Sequence, residues 1–376
     1  MRKICYISGT RADFGLMRST LTAIRDHAKL ELSIIVTGMH LSPQHGDTVK
    51  EIEAADLTIA AEVPVPMTPA TGATMARNIG AMTTAFTDAL ESLHPDIVLL
   101  LGDRGEMLAG AIAGLHLNIP VAHIHGGELS GTVDEPVRHA ISKLSHLHFT
   151  ATAASRERLI RMGEAATNIH VTGAPGLDGL ADESFGDRLT VARQHGLNAD
   201  RPLALMVYHP VLQEADTAGA DARALLDALH KAGVQVLALM PNADGGSEAV
   251  RRVLTEAHGQ KGVTVRTHLA RPDFIATMAH ADLMIGNSSA GIIEAASFGT
   301  PVINVGRRQN LRERNANVRD VMAEPAVLAE AITAALARGR FPVKNLYGDG
   351  RTSERIADLL AATPLNAALM MKVNGY

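Results

Sequence analysis

The sequence predicts an α/β protein of two doubly wound domains, each a parallel sheet covered by helices. Three observations predict it. Short β-rich runs alternate with helical patterns along the chain. Several of these runs, such as Ile97-Val-Leu-Leu-Leu101, are apolar without a break, as a parallel strand buried on both faces must be. The alternation restarts after Gly173-Ala-Pro175, and 376 residues of 46% hydrophobic content suit two cores better than one.

In the first series, strands are expected over 4–8, 32–37, 59–65, 97–101, 121–125, 148–151 and 169–172. Helices are expected over 16–28, 72–92, 106–117, 136–144 and 155–162. The second series places strands at 203–208, 234–240, 263–267, 283–285 and 302–305. Its helices fall at 220–231, 247–256, 272–280, 290–298 and 325–337. The resulting division is 1–173, 174–350, and a closing helix and tail at 351–376. The helix, over 352–362, can dock on either domain, with the N-terminal one as a candidate, while 366–376 reads as weakly specified.

Composition narrows the function. The net charge is −5, from 35 basic and 40 acidic residues. Aromatics make up only 3%, with no Trp and no long basic run, so nucleic acid is not an expected partner. A lone Cys5 inside an apolar run excludes a disulfide framework and fits a reducing compartment. Arg11 and Asp13 follow the first apolar run too soon for a signal peptide, and the longest apolar window is broken by His116, Asn118, Pro120 and His123. A cytoplasmic protein without a membrane span is the expectation.

Ligands of doubly wound folds collect at the carboxyl ends of strands, so chemistry is sought there. The densest stretch runs from His123 to His139, where His125, Glu128, Asp134, Glu135 and Arg138 surround two glycine-rich turns. Such a concentration suggests proton transfer beside a bound anion. The first strand ends in Ser8-Gly-Thr-Arg-Ala-Asp-Phe-Gly15. There Gly9 and Gly15 allow a tight turn before a helix, and Arg11 is placed to fork onto phosphate oxygens. The bland alternative is an ordinary turn with a solvated Arg.

Asp103, in Gly102-Asp-Arg104, reads either as a helix N-cap paired with Arg104, which local sequence favours, or as a proton acceptor. In the second domain, Gly286-Asn-Ser-Ser-Ala-Gly-Ile-Ile-Glu294 opens a helix behind a strand. Ser288, Ser289 and the amides near Gly291 form a phosphate cradle, and Glu294 is positioned for ribose hydroxyls. The alternative is a Ser-capped helix with a satisfied Glu. His209, the turn Pro241–Ser247 and His268 end neighbouring strands, and Arg308 adds a cation. The spacing of His123 and His125 is not read as a metal-ligand pair, so no metal site is expected.

Taken in order, Ser8–Gly15, Gly102–Arg104, His123–Lys143, Pro241–Ser247 and Gly286–Glu294 resemble the hydrolysing UDP-N-acetylglucosamine 2-epimerases, which serve sialic-acid and related nonulosonic-acid synthesis. The resemblance runs from about residue 3 to 320, and Thr10-Arg-Ala-Asp13 is similar to the hydrolysing branch. It implies a glycosyltransferase-B-like fold of two Rossmann-like domains with a UDP-linked N-acetylhexosamine between them. It also implies elimination of UDP through a glycal, then hydration with inversion at C2. No redox cofactor or metal is implied, and a homodimer or homotetramer is.

By position, the resemblance implies catalytic roles for Asp103, Glu128, Asp134 and His209. Arg104, Arg138, Asn242, His268 and Glu294 would contact substrate or support the site, while Arg11, Arg308, Ser288 and Ser289 would stabilise the leaving diphosphate. Asp103 is the expected C2 base and Glu128 the second-step acid/base. Animal members carry Glu where this chain has His125, which leaves proton work to Glu128 or Asp134. Three rivals stand beside this reading. A glycosyltransferase or a regulator that merely binds sugar nucleotide would not need so many acids; a non-hydrolysing epimerase would keep the nucleotide on the sugar. A UDP-linked 2,4-diacetamido-2,4,6-trideoxy sugar, or a GDP-linked one, would suit the same machinery.

Overall fold

A computed structural model describes residues 1–43, 46, 48–69, 71–130, 134–180, 186–211, 214–241, 246–260 and 262–375. The chain divides into two compact units. One gathers residues 1–178, apart from a short stretch near 130, together with 347–376; the other gathers 179–346.

The first unit alternates strands and helices. It runs β1 (Arg2–Ser8), α1 (Arg11–Asp26), β2 (Leu30–Thr37), α2 (Val49–Ala54), β3 (Ile59–Val63), α3 (Gly72–Leu93) and β4 (Ile97–Leu101). It continues with α4 (Gly105–His116), β5 (Val121–Ile124), α5 (Asp134–Leu144), β6 (Leu147–Thr150), α6 (Ala153–Arg161) and β7 (Ile169–Val171). The sheet order is β3-β2-β1-β4-β5-β6-β7, and every pair is parallel. The unbroken apolar run of β4 is wholly buried, which follows from helices covering both faces.

The second unit comprises α7 (Arg188–His195), β8 (Leu203–Val207), α8 (Ala218–Lys231), β9 (Gln235–Leu239), α9 (Ser247–Ala257), β10 (Val263–Arg266) and α10 (Arg271–His280). After these come β11 (Leu283–Gly286), α11 (Ser289–Ile293), β12 (Val302–Val305), β13 (Val318–Val321) and α12 (Pro325–Arg338). Its parallel sheet has the order β10-β9-β8-β11-β12-β13. Two doubly wound sheets are therefore present, as the alternating pattern predicts.

The chain then returns to the first unit as α13 (Thr352–Ala362) and α14 (Ala367–Met370). Ile356, Ala357 and Leu360 of α13 enter the same buried cluster as Ile4, Tyr6 and Met17. Of the two dockings the sequence leaves open for the closing helix, the one on the N-terminal unit is observed.

Several local expectations need correction. Helix α1 starts at Arg11 rather than 16, because Thr10 and Asp13 form a capping box that nucleates the turn ahead of Gly15. Gly15 accordingly lies inside the helix and makes no turn. The helix expected over 290–298 is two pieces, α11 and a 3-10 turn at Ala295–Phe298. Short α2, α7 and β13 carried too little periodicity to be seen. The tail 366–376 is more specified than it reads: Asn366 caps α14, and Leu369 is buried. No helix among the described residues is long and apolar enough to cross a membrane.

Candidate active site

In each sheet the strand order reverses at one point, between β1 and β4 in the first unit and between β8 and β11 in the second. Crevices open at the carboxyl ends of strands flanking such a switch. Ser8–Arg11 follow β1 and Gly102–Arg104 follow β4; His209 follows β8 and Asn287–Ser289 follow β11. Of the sequence-selected residues, Arg11, Asp103, Arg104, His209, Ser288 and Ser289 thus stand at these two switch points.

In the first unit, Asp103 does not cap a helix. Arg104 is the N-cap of α4, with no side-chain capping bond, and its guanidinium faces Glu106 at 3.3 Å. Asp103 instead pairs with Arg138 from α5. The Arg138 side chain is 1% exposed, and its second arm donates to the Glu128 carbonyl at 3.0 Å. Arg138 thereby ties Asp103 to the Glu128 loop. Glu128 is buried, and its carboxylate accepts from His125 Nδ1. His125 holds φ 64°, and Gly127, φ 76°, presses so close to α6 that a Cβ there would lie 2.3 Å from the Ser155 carbonyl. That turn is what swings Glu128 back beneath the strand end. Asp134, half-buried, opens α5, where a carboxylate suits the helix N-terminus.

His123 is a strut that sequence reading left without a role. Its Nε2 is 2.6 Å from the Gly102 carbonyl, which only accepts, so this nitrogen carries the hydrogen. Nδ1 lies 3.0 Å from Ser142 Oγ, whose hydroxyl also reaches the Arg138 carbonyl at 3.1 Å. Burial pushes the imidazole down to about 3, which keeps it neutral. His123 thus fastens the residue before Asp103 to the helix that carries Arg138.

A second buried network lies under the β1 loop. Asp13 accepts from the Gly9 and Thr10 amides at 3.0 and 2.6 Å, from Thr10 Oγ1 at 3.0 Å and from Ser8 Oγ. Ser8 also meets His40 Nε2 at 2.9 Å. Burial raises the Asp13 carboxyl and lowers His40 from their ordinary values. Arg11, expected on phosphate, lies beside this network in an ion pair with Glu51 at 2.7 Å.

The second unit is built from amides, hydroxyls and cations. Asn287 clamps the His209 peptide, accepting from its N–H and donating to its carbonyl, both at 2.8 Å. Arg308 and Gln309 each donate to the Asn287 carbonyl at 3.0 Å. Burial first, and then the Arg308 cation, push His209 down to about 3, so it is neutral. Ser288 caps α11 by accepting from the Ala290 amide, and Ser289 begins the helix. Gly286 sits at φ 132°, where a Cβ would lie 2.0 Å from the Val207 carbonyl; only glycine lets β8 and β11 meet this closely.

Glu294 is not within the helix as expected. It is the C-cap of α11, buried, and pairs with Arg271 at 3.0 Å. Gly291 packs against Val302, where a Cβ would come within 2.9 Å. His268 lies exposed past the end of β10. Asn242 falls outside the described residues. Among the described residues, no group of three His, Cys, Asp or Glu side chains is placed to hold a metal ion.

Asn287 and Ser142 are the residues that sequence reading passed over. Asn287 stood inside the quoted Gly286–Glu294 motif, and its spacing there was the available signal. Ser142 gave none, since its partner His123 lies 19 residues away.

Comparison with known proteins places this architecture. The family model described as UDP-N-acetylglucosamine 2-epimerase matches residues 22–361. The chain is 48% identical, over 100% of both chains, to a UDP-N,N'-diacetylbacillosamine 2-epimerase (hydrolyzing) of Legionella pneumophila. It is 36% identical to a UDP-N-acetylglucosamine 2-epimerase of Neisseria meningitidis, covering 96% of this chain and 95% of that one. In fold it is similar to the crystal structure of the Neisseria meningitidis UDP-GlcNAc 2-epimerase bound to UDP-GlcNAc, with a TM-score of 0.81 at 19% identity, covering 96% of this chain and all of the other. The chain belongs to the UDP-N-acetylglucosamine 2-epimerase family, within its hydrolysing branch.

Proposed function

We propose that this enzyme hydrolyses and epimerises UDP-N,N'-diacetylbacillosamine, releasing UDP and the free 2,4-diacetamido sugar inverted at C2. The observation that carries this reading is the whole-length 48% identity to an enzyme named for that substrate. A second reading, the same reaction on UDP-N-acetylglucosamine, is favoured by the 36% identity to the meningococcal enzyme.

The residues support a division of labour. Asp103, oriented by Arg138, takes the C2 proton. That proton is weakly acidic, so its removal must be assisted by departure of UDP: the C2–H electron pair becomes the C1–C2 double bond of a glycal while the C1–O electron pair leaves on the diphosphate. Negative charge grows on the diphosphate, and Ser288, Ser289, Arg308 and Arg11 are the donors that would meet it. Arg11 would exchange Glu51 for phosphate in doing so.

Water then adds its hydroxyl to C1, and C2 takes a proton on the opposite face. Glu128, hydrogen-bonded to His125, is the acid/base for this second step, with Asp134 beside it in the chain. Neutral His209, held by Asn287, orients substrate without adding charge. Glu294 would accept the ribose hydroxyls, and Arg104, Asn242 and His268 would contact substrate. Arg138 works through Asp103 and Glu128.

The test is parallel incubation of the enzyme with both UDP sugars in heavy water. Free UDP together with a free sugar epimer carrying one deuterium at C2 is expected, faster with the diacetamido substrate. A preference for UDP-N-acetylglucosamine would select the second reading, and an epimer still bound to UDP would overturn both.

A further inference from the structure

Helix α5 carries Arg138, the residue that joins Asp103 to the Glu128 loop, so its placement fixes both candidate acids. Its far end is held by the last residues of the chain. Lys372 Nζ donates to the carbonyls of Ser142 and Ser145 at 3.1 and 2.5 Å, placing a cation at the C-terminal end of the helix. The same ammonium pairs with Glu164 at 2.5 Å. Glu164 is buried and also holds Lys143 of α5 at 2.7 Å. Asn374 accepts from Lys143, and the Gly375 amide donates to the Gly163 carbonyl at 2.9 Å.

Apolar burial does not explain this attachment. Met371 and Val373, on either side of Lys372, are 74% and 76% exposed. Among the described residues after Leu369, Lys372 and Asn374 make polar contacts with the end of α5, and Lys372 and Gly375 with Glu164 and Gly163 past α6. Ser142, whose carbonyl Lys372 grips, also sets its hydroxyl against His123, and His123 grips the Gly102 carbonyl next to Asp103. A continuous set of contacts thus runs from the tail to the β4 strand end.

We propose that Lys372 is a positioning residue: the tail is a polar clasp that holds α5, and through Arg138 and His123 it sets the geometry of Asp103. The clasp itself follows from the contacts. Its catalytic consequence rests on the epimerase reading above.

The full-length protein is compared with K372M, K372R and a chain ended after Val373. Amide hydrogen exchange of α5 is the first readout, since it needs no substrate. K372M should raise exchange over 138–145, K372R should restore protection, and the shortened chain should fall between. On the UDP sugar that wild type turns over, K372M should lower kcat about tenfold with KM and UDP affinity unchanged, as misplacement of a reacting group does.

Unchanged α5 exchange in both altered chains overturns the clasp. Raised exchange with full kcat overturns the positioning role. If K372M does not fold, the shortened chain carries both readouts. If wild type acts on neither UDP sugar, the functional reading fails, while α5 exchange still judges the clasp.

Discussion

The two switch points share one topology and carry opposite chemistry. At and beside the first, between β1 and β4, carboxylates come with mostly buried partners: Asp103 with Arg138, and Glu128, past β5, with His125. At the second, between β8 and β11, the groups are a clamped peptide, a capping hydroxyl, a neutral histidine and a cation on a carbonyl. A fold therefore supplies a location, and side chains decide which chemistry that location can offer. The first needs partners to position its carboxylates; the second needs close backbone approach, which Gly286 permits.

This contrast can be broken first at its acidic end. Asp103→Asn should reduce turnover roughly 10²–10⁴-fold, the range for a lost general base, while leaving UDP affinity intact. Persistent C2 deuterium exchange in the variant would remove Asp103 from the base role. At the other switch point, Gly286→Ala should cost about 3 kcal/mol or more, because the new Cβ meets the Val207 carbonyl at an unfavourable φ. Limited proteolysis should show cleavage within 179–346 while the first unit stays resistant; equal resistance of both would show that the strands can part cheaply.

A smaller effect sharpens the second unit. Asn287→Ala removes both bonds to the His209 peptide and should destabilise by about 2 kcal/mol, with weaker UDP binding seen by calorimetry. Unaltered UDP affinity would separate His209 from the nucleotide.

Acid should act more strongly on the first unit. His123 is lowered to about 3 and His146 to about 4, both through burial, from an ordinary 6.5. Below 6.5 the unfolded chain takes up these protons and the folded one does not. Stability present above 6.5 is thus lost as pH falls, at roughly 1.4 kcal/mol per pH unit for each fully buried imidazole until its folded value is reached. Glu164 adds to the loss: burial would raise it, but His148, Lys143 and Lys372 bring it down to about 2, so its contribution fades between 4.5 and 2. In the second unit His209, lowered to about 3, contributes in the same direction. Hydrogen exchange between pH 7 and 4 should therefore show the first unit loosening before the second, and the reverse order would reject this accounting.

Much of the fold was legible in the chain. Strand β12 and helix α13 fall where their patterns place them, because a continuous apolar run and a 3.6-residue period are local properties. Element ends were less legible. The capping box at Thr10 and Asp13 decides where α1 begins, ahead of Gly15. Short elements such as β13, whose residues are partly exposed, have no pattern of their own and exist by pairing with β12.

By itself the sequence determined the class of fold, the two series of strands and the segments rich in chemistry, since composition and period are written along the chain. Tertiary structure decided the partners. It gave Asp103 to Arg138, 35 residues away, His123 to Ser142 and Gly102, and Glu164 to a lysine near the chain's end. Ion pairs and hydrogen bonds depend on distances of a few ångströms, and residues far apart in the chain acquire such distances only when the sheet sets their strand ends side by side.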